Sequence, residues 1–142
     1  MTVMLYVCGI LCLNLFFFIK TTIIMSKLDD VIAKYADTVT IKLGITDIDH
    51  ELLVAVTKSL GPLIYLDDPS RVSCTDQDEK DRVRNNFLIK KLGLPESPDL
   101  DAGIDRVCQK MGSANRDKWR AVFYYLLVQH FEKRDFYIQP AA

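Results

Sequence analysis

The stretch Asn115 to Phe131, NRDKWRAVFYYLLVQHF, decides how the rest of this 142-residue chain is read. A basic start passes into eight residues, Ala121 to Val128, whose only polar side-chain groups are two tyrosine hydroxyls. Asn115 is a capping type of residue, and a 3.6-residue period places Trp119, Val122, Phe123, Leu126 and His130 on one stripe. Ala121, Tyr124, Tyr125 and Val128 fall on the reverse side. A helix that is apolar on two sides must touch neighbours on both, so this segment is read as the central helix.

Working outward, the preceding segments supply neighbours of the right kind. Leu100, Ile104, Val107, Cys108 and Met111 repeat at helical spacing after Ser97-Pro98-Asp99, a start with a serine cap, a proline in the first turn and an acid beside it, and Gly112 is the stop. A charged run from Thr75 or Asp76 leads into Phe87, Leu88, Ile89 and Leu92, a third helix closed by Gly93. Leu28, Val31, Ile32, Tyr35, Ala36, Val39 and Leu43 make a first amphipathic helix ended by Gly44. A second helix follows a cap at Thr46 or Asp47 and runs to Leu60. Gly61-Pro62 begins one further turn, and Asp67 to Thr75 is the longest loop. The expected architecture is all-α: a compact bundle of about five helices with short connections, spanning residues 25–134, with a tail over 135–142.

Residues 1–24 do not share this character. They hold no acid and one base, Lys20, around a run of 17 weakly polar to apolar residues from Val3 to Ile19. The run lies at the short limit for a membrane-spanning helix. Met25 opens a segment that reads as the beginning of a compact protein, so residues 1–24 are read as a mis-assigned start. The alternatives are a membrane anchor and, third, a cleaved signal. With an anchor, Lys20 and Lys27 would keep the domain on the cytoplasmic side, so the expected location is the cytoplasm, with membrane contact only if residues 1–24 are made and kept. In that compartment Cys74 and Cys108 are expected as reduced thiols, Cys108 as a small buried hydrophobe and Cys74 as the more exposed of the two.

The formal net charge of -1 argues against a strongly basic nucleic-acid binder. The sum conceals an asymmetry: Ser26 to Glu79 has 5 Lys/Arg against 11 Asp/Glu, and Lys80 to Arg134 has 12 against 7. The simplest account is oppositely charged helices lying side by side; the sharper one is a basic face for an anionic partner. Candidate anion-binding residues are Arg116, Lys118, Arg120 and Lys90, the first three surrounding Trp119, with Lys91, Arg106 and Lys110 brought nearby if the last three helices pack together. Trp119 sits on the core stripe, where it could not stack on a base. His130 is the candidate acid or base, able to act on Cys108 or with an acid. His50 lies among Asp47, Asp49 and Glu51, but acids belong in a first helical turn, and the segment lacks the glycine and distant glutamate of a calcium-binding loop. No nucleophile, phosphate-loop or zinc motif is present, and no metal or cofactor is expected.

The ordered segments MSKLDDVIAKYADTV, LGPLIY, NNFLIKKLGL and SANRDKWRAVFYYLLVQHF, from Met25 to Phe131, resemble a small bacterial all-helical family of unknown function, DUF2853. The resemblance implies a compact helical cytoplasmic protein and brings no activity, cofactor or functional residue. With no site motif and an aromatic helix apolar on two faces, function is expected to be non-enzymatic: a protein-interaction module whose partner is an unknown protein or another copy of itself. The alternatives are an anion or nucleic-acid binder, nucleic acid being the less expected of the two, and an enzyme using His130.

Overall fold

The computed structural model describes residues 27–67 and 69–139. The apolar segment 1–24, the Met25 start and the end of the tail lie outside these. Residues 27–33 are helical and belong to the first of two units, which ends at Ala33. Everything below concerns the second unit, from Lys34 onward.

That unit is all-helical, with no strand among the described residues. Helix α1 covers residues 34–42 and widens to a π-helix over Thr38–Lys42. Helix α2 is His50–Ser59, followed by a 3-10 turn at Gly61–Tyr65. Helix α3 begins as an α-helix at Gln77–Arg82 and continues π-helically through Val83–Lys91. Helix α4 is Pro98–Met111, α5 is Arg120–His130, and α6 is the short Arg134–Tyr137. Helix α5 packs against α2 and α4, α4 also meets the π-helical part of α3, and α6 returns to α2.

The central position of α5 follows from its residues. Ala121, Val122, Phe123, Tyr125, Leu126, Leu127 and Val128 are all buried. On one side they meet Leu52, Leu53 and Val56 of α2 and on the other Leu100, Ile104 and Val107 of α4, each at most 3% exposed. The tyrosine side is filled as well. Tyr124 stacks on Phe87 with ring centroids 3.9 Å apart and planes within 8°. The Tyr125 hydroxyl accepts hydrogen bonds from Asp49 N at 3.0 Å and from Gln129 Nε2 at 2.9 Å. Both phenols are pushed up in pKa, chiefly by burial, and so stay neutral.

Several boundaries differ from the sequence reading. Asn115 does not cap α5. Trp119 holds the cap position, because residues 115–119 turn on themselves and pair across the chain with Arg71. The second helix is capped by Asp49, whose Oδ1 accepts from Leu52 N, rather than by Thr46 or Asp47. Asp76 caps α3 and Gly112 ends α4 at φ 87°, a left-handed angle that costs glycine little. Gly103 has a different reason to be small: a Cβ there would lie 2.4 Å from Phe131 Cζ, where α4 and the end of α5 come together.

Charge ties the acidic and basic halves together. Arg134 on α6 donates to Asp49 and also to Glu51 at 3.0 Å, which fixes α6 on the start of α2. The Arg134 hydrogen bond, followed by the Leu52 amide, holds the Asp49 carboxyl below the usual aspartate range against a smaller opposing effect of burial. A depressed folded-state pKa stabilises fully above the unfolded value and is lost as pH falls through the folded one. Thermal stability should therefore drop below about pH 4. In Asp49→Asn, which keeps the cap, that acid limb should be shallower in melts recorded from pH 2 to 7. Parallel limbs in the two proteins would show that Asp49 carries none of it.

Candidate functional site

The four predicted anion-binding residues separate in the folded chain. Arg116 and Lys118 come together with Arg71 around a cavity of about 460 Å³ whose rim also includes Ser73, Cys74, Thr75, Ser113 and Asn115. Arg120 and Lys90 line no part of it. Two segments far apart in sequence form the walls: the loop 71–75 before α3, and residues 113–118 between α4 and α5.

What joins the walls is backbone pairing that replaces a helical start for residues 115–119. Val72 N donates to Lys118 O at 2.8 Å and Arg120 N to Ser70 O at 2.6 Å. Val72 is buried at the seam. Asn115 shapes the opposite wall: its Oδ1 accepts from Asp117 N at 3.0 Å and its carbonyl accepts from Lys118 Nζ at 2.8 Å. The Nδ2 donor of Asn115 is buried and has no partner among the described residues. Such a donor carries an uncompensated cost of about 1–3 kcal/mol.

Further cations gather at Trp119, beside this wall. Lys34 lies 3.9 Å and Arg71 5.0 Å from the centroid of the Trp119 ring. The indole is buried, against Tyr35, and arranges these cations rather than offering a face to a ligand. Asp117 is the acid in the group. Its carboxyl is held below the usual range first by the Lys42 hydrogen bond, with Arg71 and Lys34 adding to it. Arg71, Arg116 and Lys118 line the cavity, and Arg71 shares Asp117 with Lys42 and Lys34. Tyr35, its pKa pushed up to about 12 mainly by burial, adds no negative charge.

Arg120 has a structural task. Its Nε donates to Pro69 O at 2.9 Å and its Nη2 to Arg71 O at 3.1 Å, so it clamps the loop that bears Arg71. Its Nη1 lies 2.7 Å from Glu79 Oε1, with side-chain exposures of 17% and 11%. That contact is Coulombic rather than a well-aligned hydrogen bond, since Oε1 accepts none. Burial works against the Arg120 charge, and Tyr124 and Glu79 more than offset it, so its pKa is raised.

His130 does not lie on the core stripe. It is exposed at the end of α5, where its ring meets Phe131 edge-on at 4.8 Å. With Arg106, Val107, Lys110, Leu126 and Gln129 it lines a second cavity of about 400 Å³, so Arg106 and Lys110 gather there and not at Arg116. The thiol partner considered for His130 is excluded, because Cys108 forms a disulfide with Cys74. The two cysteines are therefore not the reduced pair that the sequence suggested. Among the described residues no group of metal-ligating side chains comes together. The carboxylates beside His50 are engaged instead, Asp49 and Glu51 by Arg134.

Fold and site together define a small all-helical domain with a basic cavity. The family described as a protein of unknown function, DUF2853, matches residues 34–135, and the chain belongs to it. The match covers the second unit almost in full. No curated protein matches the chain.

Proposed function

We propose that the domain is a non-enzymatic binding module that captures an anionic group of a protein partner, a phosphate or a carboxylate, in the cavity between Arg71, Arg116 and Lys118. The observation that carries this reading is the convergence of three cations and three hydroxyl side chains on one cavity. A cavity of this kind suits a single anionic group better than a polynucleotide strand. The Trp119 ring is buried and offers no face for a base to stack on. The cytoplasm is the compartment proposed for it.

Binding is tested by calorimetry with inorganic phosphate, a glutamate-rich peptide and the same peptide phosphorylated, at low and then moderate salt. Affinity should fall with added salt. Arg116→Glu should weaken it by about tenfold or more, equivalent to about 1.4 kcal/mol. Arg116 is exposed and forms no hydrogen bond or ion pair among the described residues, so this variant should fold normally. Affinity unchanged in Arg116→Glu would overturn the reading. Tighter binding of a short oligonucleotide than of either peptide would favour nucleic acid instead.

A further inference from the structure

We infer that the Cys74–Cys108 disulfide is a reversible redox control on the basic cavity, tightening anion binding when formed and loosening it when reduced. The inference rests on the reading of that cavity as the binding site. It is drawn from where the bond lies. Cys74 is one of the cavity's own lining residues, between Ser73 and Thr75, which also line it. Cys108 belongs to α4, whose end leads through Gly112 into the opposite wall at Ser113 and Asn115. The bond joins Cα atoms 5.8 Å apart across 34 residues of sequence.

The two halves of the loop are held by different means. Residues 69–72 are fixed by the backbone bonds of Ser70 and Val72, by the Arg120 clamp and by burial of Val72, none of which involves sulfur. Ser73 and Thr75 are exposed, and their hydroxyls contact each other at 3.3 Å. Between the Val72 bond and the Asp76 cap, the disulfide is the cross-link to the rest of the domain. Reduction therefore leaves Arg71 in place and releases the hydroxyl-bearing part of the wall.

The chemistry is thiol–disulfide exchange with a small-molecule disulfide. A thiolate of Cys74 attacks one sulfur of that disulfide and expels one thiolate. Cys108 then attacks the Cys74 sulfur of the mixed disulfide and expels the second. Two protein thiols lose two electrons and two protons, and the small disulfide becomes two thiols; excess small thiol reverses the process. In a reducing compartment a disulfide of this sort is transient and sensing rather than permanent, which fits the location proposed above.

The test uses the full chain and inorganic phosphate as probe. Oxidised protein should bind phosphate on the order of fivefold to tenfold more tightly than reduced protein, the effect of fixing the Ser73 and Thr75 hydroxyls. The Cys74→Ser, Cys108→Ser double variant should match the reduced form. Linkage requires the reciprocal effect. Saturating phosphate should make the disulfide harder to reduce in a glutathione buffer series by the same factor, about 30 mV for tenfold. Equal phosphate affinity in the two redox forms, with the equilibrium insensitive to phosphate, overturns the control and leaves the cavity intact as a binding site. Failure of phosphate and of both peptides to bind in either form overturns the cavity reading, and the redox control with it. Should the double variant be misfolded, reduced wild-type protein supplies the same comparison.

Discussion

Replacing Arg120 with alanine should lower the free energy of unfolding by about 3 kcal/mol, the lower end of what breaking a buried ion pair costs. The lower end applies because the Glu79 contact is Coulombic and poorly aligned. Two costs combine. Glu79, 9% exposed, keeps only the exposed Arg82 guanidinium at 3.4 Å, and the carbonyls of Pro69 and Arg71 lose their donor. Urea denaturation followed by circular dichroism measures the total. Glu79→Gln separates the parts, since it removes the charge but leaves the Arg120 bonds to the loop, and should cost less. A loss below about 0.5 kcal/mol in Arg120→Ala, the range of ordinary surface substitutions, would place Arg120 among the exposed cations after all.

A loss of similar size, about 3–4 kcal/mol, is expected for Phe87→Ala. Phe87 is 3% exposed and carries the stack on Tyr124, so truncation opens a cavity between α3 and α5 and removes an aromatic contact. Phe87→Leu should recover more than half of the loss, because it refills most of the volume. Both variants should keep their helical circular dichroism at low temperature and differ in urea midpoint. Equal midpoints for alanine and leucine would mean that volume is not what Phe87 contributes, and the stack itself would then account for the loss.

The contrast between Arg116 and Arg120 shows how far the sequence carried the site. Both flank Trp119 in one basic run, and nothing local distinguishes them. What separates them is non-local: Glu79 and the carbonyls of residues 69 and 71 lie where Arg120 reaches. Arg71 was missed for the same reason, being an isolated base in a polar loop until the backbone of Val72 pairs with Lys118. That pairing also explains the misplaced start of α5. Asn115 has the chemistry of a cap, but a pairing partner took the backbone first. Features written in local chemistry were legible: the Asp76 cap, the Gly112 stop and the burial of α5 on both sides. The π-helical widening of α3 was not, because apolar residues spaced for an α-helix also suit a slightly wider turn. The disulfide was not legible either, since two cysteines 34 residues apart declare no proximity.

The clamp between Arg120 and the loop has a consequence for the order in which the chain takes shape. It joins residues 51 and 49 positions apart. The hydrogen bonds within α2, α4 and α5 span a few residues each. Closing the longer segment costs chain entropy that nothing local repays, so the sequence-adjacent helices α4 and α5 can condense on one another before the loop finds its place. The binding cavity is then a late product of folding and an early casualty of partial unfolding. A nascent or heat-stressed chain could hold its helical core while having no pocket to offer a partner.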